Sequence, residues 1–310
     1  MVELAEVLGR HWPAYERESG SAVLPSHRAA VQAILSCRTP ERGAAFYSCE
    51  CGYKRLVYHS CQHRACSRCG QAARVRWRER QKSRLLPVPY FLVTFTVPAE
   101  LRPLCYAHQS VLYDLFFRES AATLQAVAAQ PKFLGAELGF LGVLQTWTRQ
   151  LLYHPHIHYL VAAAGLTSDQ AQWRRTPQAR FFLPQKLVAR LFRRRLRAAL
   201  QRQWPEWAAQ VPAVAWQKEW VVDIEPAAQA ENALDYLSAY VTRTALSQGR
   251  ILAHDADSIT FTYQDRQAQQ WKQSRLPAHE FLRRFLQHVL PKGFQRIRTY
   301  GWRSPAAKVK

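Results

Sequence analysis

Three histidines alternate in one short run, His154-Pro155-His156-Ile157-His158, and two tyrosines, Tyr236 and Tyr240, follow about eighty residues later. In an extended segment alternate side chains share a face, so the imidazoles project one way while Ile157, Tyr159 and Val161 project the other. The tyrosines are four residues apart in a helical pattern and share a helix face. Imidazoles ligate divalent metals. A tyrosine hydroxyl, with a reference pKa of about 10, is a weak nucleophile that needs an electropositive site and a polarised phosphate. Metal ligands on a strand and paired nucleophiles on a helix are the parts needed to cut a nucleic acid strand covalently.

A third ligand is available on the preceding strand. Gln145 shares its parity with Val143 and Trp147, and its amide oxygen suits Mg²⁺ or Mn²⁺. His154 is the alternative. Same-face neighbours on one strand are about 6.6–6.8 Å apart at Cα, so three imidazoles from one strand would reach an ion only with strain. A set of His156, His158 and Gln145 leaves open positions for a substrate.

Cysteines are dense upstream. Cys49 and Cys51 form a C-x-C knuckle and Cys66 and Cys69 a C-x2-C knuckle, which together would satisfy tetrahedral zinc. Cys37, Cys61, His27, His59 and His63 are candidates for a second zinc site. Zinc would add folding energy to a segment with little hydrophobic periodicity. Cys105 sits apart in an apolar helix and reads as core.

The elements that must position these groups follow from periodicity. Residues 1–36 read as helices, 37–70 as irregular, and 71–86 as a basic helix stopped by Pro87 and Pro89. Tyr90 opens a strand with Phe91, Val93, Phe95 and Val97 on one face. A helix is expected near 104–130, paired strands near 139–148 and 153–162, and a basic helix at 185–203. A strand near 216–224, the tyrosine helix near 228–245, a strand near 258–264 and a helix near 277–290 complete the pattern. The mixed order gives an α+β fold, a sheet with helices on one face, divided as 1–86 and 87–310.

The chain has 310 residues and is 48% hydrophobic, enough to bury a real core. Lys+Arg number 43 against 22 Asp+Glu, a net charge of +21, which calls for a polyanionic partner. No run approaches the roughly 20 apolar residues of a membrane span, and a cytoplasmic, nucleoid-associated location is expected. Arg190, Arg193, Arg194, Arg195 and Arg197 on one helix, with Arg74, Arg76 and Arg78 on another, are candidates for phosphate contacts. Trp147, Trp173, Trp204, Trp216 and Trp220 are candidates to stack unpaired bases.

The sequence resembles the IS91-type rolling-circle (Y2) transposases of the HUH endonuclease superfamily. Four blocks carry the likeness: CRTPERG at 37–43 with SCQHRACSRC at 60–69, LQTWTRQLLYHPHIHYLV at 144–161, ALDYLSAYVTRTALS at 233–247, and FLRRFLQHVLPKGFQRIRTYG at 281–301. The resemblance implies an N-terminal zinc-binding domain and a catalytic domain with a central antiparallel sheet. It implies that His156 and His158 bind metal, that Tyr236 and Tyr240 attack DNA, and that single-stranded element ends and target DNA are the partners. The chain departs from the family pattern in three places. Its first knuckle is C-x-C where C-x2-C is usual, Ala65 replaces a histidine before Cys66, and Gln145 stands where a third histidine ligand is common. The rival readings are a plasmid relaxase or replication initiator of the same superfamily, and a zinc-finger DNA-binding protein without chemistry. The last leaves the histidine strand unexplained.

Overall fold

The computed structural model describes residues 2–307 apart from 168, 170–171, 177–181, 228–230, 233, 236, 238–243, 248 and 266–267. Along the chain run α1 (Leu4–Ser19), α2 (Pro25–Leu35), β1 (Ala44–Ser48), β2 (Lys54–Tyr58), α3 (Gln71–Lys82), β3 (Tyr90–Thr96), α4 (Arg102–Ala107) and α5 (Gln109–Ala128). Next come β4 (Glu137–Trp147), β5 (Tyr153–Leu166), β6 (Trp173–Arg175), α6 (Gln185–Gln203), α7 (Pro205–Ala209), α8 (Ala213–Gln217) and β7 (Val222–Ala227). β8 (Ile251–His254), β9 (Ser258–Asp265), β10 (Gln270–Pro277), α9 (Ala278–Leu286) and β11 (Ile297–Tyr300) follow.

Packing divides the chain into two compact units: residues 1–75, 147–153 and 242–292 in one, and 76–146, 154–241 and 293–310 in the other. This interleaved division differs from the sequential one expected at residue 86, and the apolar residues give the reason. Leu4, Val7 and Leu8 of α1 and Val31 and Ile34 of α2 share one core cluster with Ile259 and Phe261 of β9 and Phe281, Leu282 and Phe285 of α9. The helical hairpin cannot bury its stripe alone, so late-sequence elements complete it. In the same unit β8, β9 and β10 form a three-stranded antiparallel sheet, and β1 pairs with β2.

The second unit is built on a sheet of order β11-β4-β5-β3-β7, with β6 pairing with β5. The pairings described in it are antiparallel. Val93 and Phe95 of β3 lie opposite Tyr159 and Ile157 of β5. Helices α5 and α6 cover this face: Phe192 meets Phe95 at 4.9 Å and Phe116 at 5.5 Å between ring centroids, and Ser120 Oγ lies 2.6 Å from the Tyr159 hydroxyl. α6 packs because Val188, Ala189, Phe192, Leu196, Ala199 and Leu200 make one buried stripe. Gly142 is required beneath Tyr159, whose ring would clash with any Cβ there.

Helices were expected on one face, yet the other face is covered as well. Tyr90, Val143, Leu160 and Ala162 cluster there with Leu234 and Leu237, and Trp77 of α3 packs against them. Both faces being covered, β4 and β5 read as nearly continuous apolar runs rather than alternating ones. The expected strand near 216–224 is instead the short helix α8 followed by β7. Pro212 starts α8, and the Trp220 indole donates to the Ala215 carbonyl at 2.7 Å, holding the helix end.

Candidate functional site

Register decides what the second sheet face presents. Thr94 and Thr96 of β3 lie opposite His158 and His156 of β5. Val143 belongs to this face, so Gln145, two residues further along β4, belongs to it too. Gln145, His156 and His158 are each at least nine-tenths buried. One end of the face is therefore apolar, and the other carries two imidazoles, an amide and two threonine hydroxyls.

The imidazoles are oriented by their Nδ1 atoms. His158 Nδ1 lies 2.9 Å from Thr94 Oγ1, and His156 Nδ1 lies 2.6 Å from the His154 carbonyl oxygen, to which it donates. A ring whose Nδ1 is engaged this way presents Nε2 to a metal, the usual arrangement of a ligating histidine. Two imidazoles and an amide oxygen are donor types that a divalent cation accepts. Among the described residues His154, His156 and His158 do not bring three ligand atoms within 4.8 Å of one another. Burial, then the charge of Arg102, lowers the His154 pKa to about 4, so this ring is neutral at physiological pH. Sequence reasoning missed Thr94. Its signal is the polar parity of Thr94-x-Thr96, opposite the Phe and Val positions.

The turn joining β4 and β5 is held at three consecutive carbonyls. Arg250 Nη2 donates to Arg149 O at 2.6 Å, Arg284 Nη1 to Gln150 O at 3.4 Å, and His288 Nε2 to Leu151 O at 3.1 Å. Leu151 sits at φ 62°, in the left-handed region that favours glycine, and its side chain is fully buried. Burial lowers the His288 pKa to about 4. A folded-state value below the reference of about 6.5 means the unfolded chain binds more protons, so this contribution is complete above about pH 6.5 and lost as pH falls toward 4. Urea denaturation at pH 7 and pH 5 should show His288→Gln losing less stability on acidification than wild type, by up to about 1.4 kcal/mol per pH unit.

The thiols gather differently from expectation. Cys37, Cys61, Cys66 and Cys69 place their sulfurs within 4.8 Å of one another, with Cys37–Cys69 at 3.2 Å and Cys61–Cys69 at 3.6 Å. Cys49 and Cys51, grouped in sequence with Cys66 and Cys69, are exposed at the β1–β2 turn instead. The hairpin carries them away, while the end of α2 delivers Cys37 to the cluster. His27, His59 and His63 are not members. His27 accepts from the Leu24 amide and His63 from the Ala65 amide, both through Nδ1. Interaction between the Cys61 and Cys66 thiols lowers the Cys61 pKa to about 5 and, with burial, raises that of Cys66.

Residues 7–97 match the sequence family described as "Transposase zinc-binding domain", and residues 139–310 match the one described as "Putative transposase". A Sinorhizobium fredii (strain NBRC 101917 / NGR234) protein named "Putative transposase y4qJ" is 36% identical over 97% of this chain and 80% of its own length. The chain belongs to the IS91-type Y2 transposases. The "Transposase for insertion sequence element IS801" of Pseudomonas savastanoi pv. phaseolicola is 29% identical over 88% of this transposase chain and 69% of its own. No solved structure matches.

The four thiols fit the zinc of such a domain. Tetrahedral Zn–S bonds of about 2.3 Å put sulfurs about 3.8 Å apart, close to the spacings here. The amides of Cys61 and His63 point at Cys37 Sγ and Cys61 Sγ at 3.5 and 3.4 Å, as N–H groups do toward thiolates. Among the described residues no helix of the transposase is long and apolar enough to cross a membrane.

Several arginines singled out in the sequence have partners within the chain. Arg195 pairs with the buried Glu119 at 3.2 Å, Arg193 donates to the Lys218 and Gln217 carbonyls, and Arg197 lies 5.9 Å over the Trp216 ring. Arg78 pairs with Glu79 and with Asp235 at 3.4 Å. Arg76, Arg190 and Arg194 are exposed, and Arg74 is half-buried. Trp147, Trp216 and Trp220 are buried, while Trp173 is exposed.

Proposed function

We propose that this transposase cleaves single-stranded DNA at element ends and transfers the strand, using Tyr236 and Tyr240 as nucleophiles and Mg²⁺ or Mn²⁺ held by His156, His158 and Gln145. The observation that carries this reading is the two-part sheet face. Its polar end groups oriented imidazoles with an amide, and its apolar end buries the helical residues Leu234 and Leu237, the latter the chain neighbour of Tyr236. Tyr236 and Tyr240 themselves lie outside the described residues.

The bound cation would supply Lewis-acid polarisation of the scissile phosphate. Thr94 and the His154 carbonyl fix the two rings, and burial of the site excludes competing water. A tyrosine Oη forms a bond to phosphorus as the bond from phosphorus to the 3′ oxygen breaks. The tyrosine gives up its proton and the departing 3′ oxygen gains one. Later attack by a 3′-OH on the phosphotyrosine reverses the exchange and regenerates the tyrosine, so bond energy is kept for religation. A second tyrosine allows a second cleavage before the first link is resolved. Arg76, Arg190 and Arg194 would contact phosphates, which position the strand without reading its bases. The activity belongs in the cytoplasm, on nucleoid DNA.

Labelled single-stranded element ends incubated with the protein and Mg²⁺ or Mn²⁺ should yield a protein–DNA adduct stable on denaturing gels. No adduct with either metal overturns the proposal. Within the ligand set, Gln145→Ala should raise the Mn²⁺ concentration needed for half-maximal adduct on the order of tenfold or more, while Gln145→His keeps activity with a shifted metal preference. His154→Ala should be milder than His156→Ala. The reverse order would make His154 the ligand.

A further inference from the structure

The hairpin β1–β2 has no role in the chemistry above, and it exposes more apolar surface than its size accounts for. Phe46 is 63% exposed, Tyr47 60%, Tyr53 63% and Leu56 54%. A two-stranded hairpin is marginal in water by itself and ordinarily buries one face. Here neither strand buries a residue. The hairpin is tied at its base, where the His59 amide donates to the Gly43 carbonyl and the Arg38 amide to the His59 carbonyl, between Cys37 and Cys61 of the thiol cluster.

Register sorts its side chains. Phe46 lies opposite Leu56 and Ser48 opposite Lys54, which puts an aromatic ring and an ammonium on one face. Tyr47 lies opposite Arg55 on the other face. Each face therefore pairs an exposed ring with a cation, and the acids of this stretch, Glu41 and Glu50, sit outside the strands. A chain of net charge +21 disfavours a second copy of itself against a basic surface and favours a polyanion. Rings interleaved with cations suit unpaired bases, which stack on any aromatic face while phosphates take the charges.

We infer that the β1–β2 hairpin binds single-stranded DNA across both of its faces, bases stacking on Phe46 beside Lys54 on one face and on Tyr47 beside Arg55 on the other, with Tyr53 at the turn and the two cations holding phosphates. It rests on the reading of single-stranded DNA as substrate and adds a contact outside the histidine face.

Fluorescence anisotropy of zinc-loaded full-length protein, with a labelled oligonucleotide and no added Mg²⁺ or Mn²⁺, tests it. Changing Phe46, Tyr47 and Tyr53 together to Ala should weaken single-strand binding on the order of 100-fold and duplex binding far less. Tyr47→Phe with Tyr53→Phe should keep the affinity, since stacking needs the ring and not the hydroxyl. Lys54→Ala with Arg55→Ala should reduce the slope of log affinity against log salt by about 1.4. Zinc content and thermal unfolding verify that the variants fold, as expected for exposed positions. A triple variant that binds single strands as tightly as wild type overturns the inference, and so does an equal loss for duplex. Unchanged binding with an altered sedimentation state would instead make the hairpin a self-association surface. If wild type itself fails to bind single strands, the proposed substrate falls as well; if only the variant is unaffected, the hairpin platform alone falls.

Discussion

A protein carrying both Tyr236→Phe and Tyr240→Phe should bind single-stranded element ends as wild type does and should form no covalent complex. The loss should exceed about 10³-fold, the scale on which removal of a covalent nucleophile acts. Phenylalanine keeps the ring and removes only the attacking oxygen, so packing is preserved. Each single variant retains one nucleophile, forms an adduct, and fails in the exchange that needs two. Denaturing gels read the adduct, and anisotropy reads binding separately. A double variant that still forms the complex would place the nucleophile elsewhere in the chain and remove Tyr236 and Tyr240 from the mechanism. A double variant that also loses binding would assign the tyrosines to DNA recognition.

The second large effect concerns zinc. Structural zinc contributes apparent free energies of about 10–16 kcal/mol in small domains, comparable with the whole stability of a typical protein. Cys66→Ser should therefore lose the metal and the order of residues 37–70. Cys49→Ser and Cys51→Ser should keep one zinc per chain, because these thiols sit on the exposed turn and outside the four-sulfur cluster. Elemental analysis and hydrogen exchange check both. On chelation, amides in the cysteine segment should lose protection while those of α1 and α9, buried around Phe281 and Phe285, keep it. Loss of zinc from Cys49→Ser with full retention in Cys37→Ser would restore the pairing read from the sequence.

That pairing shows where sequence reading reaches its limit. Elements with one dominant period were legible. α6 runs over residues 185–203 as its apolar stripe dictates, and β3, β4 and β5 lie where the Val, Phe and Ile runs place them. The face shared by Gln145, His156 and His158 followed from parity alone, because a strand alternates whatever packs on it. Elements without burial were not legible. β1 and β2 have no hydrophobic alternation to read because water covers both faces, and with the hairpin unseen, Cys49 and Cys51 seemed free to join Cys66 and Cys69. Near residue 216, the apolar Val214, Ala215 and Trp216 fit either period, and Pro212 decided for helix. Partners that are remote in sequence, such as Thr94 for His158 and His288 for Leu151, depend on register and turn geometry that no local pattern encodes.

The interleaved path of the chain bears on how such a protein can be cut and recombined. A fragment ending at residue 86 would carry all four cluster thiols but would lack Ile259, Phe261, Phe281 and Phe285, against which α1 and α2 bury their stripes. It would expose that core to solvent and aggregate rather than stand as a portable zinc module. A crossover placing the first 86 residues of one relative on the remainder of another would join α1 to a foreign α9, with mismatched volumes in a close-packed interior. Productive exchange requires both segments to travel together, because the core that joins them is encoded by neither alone.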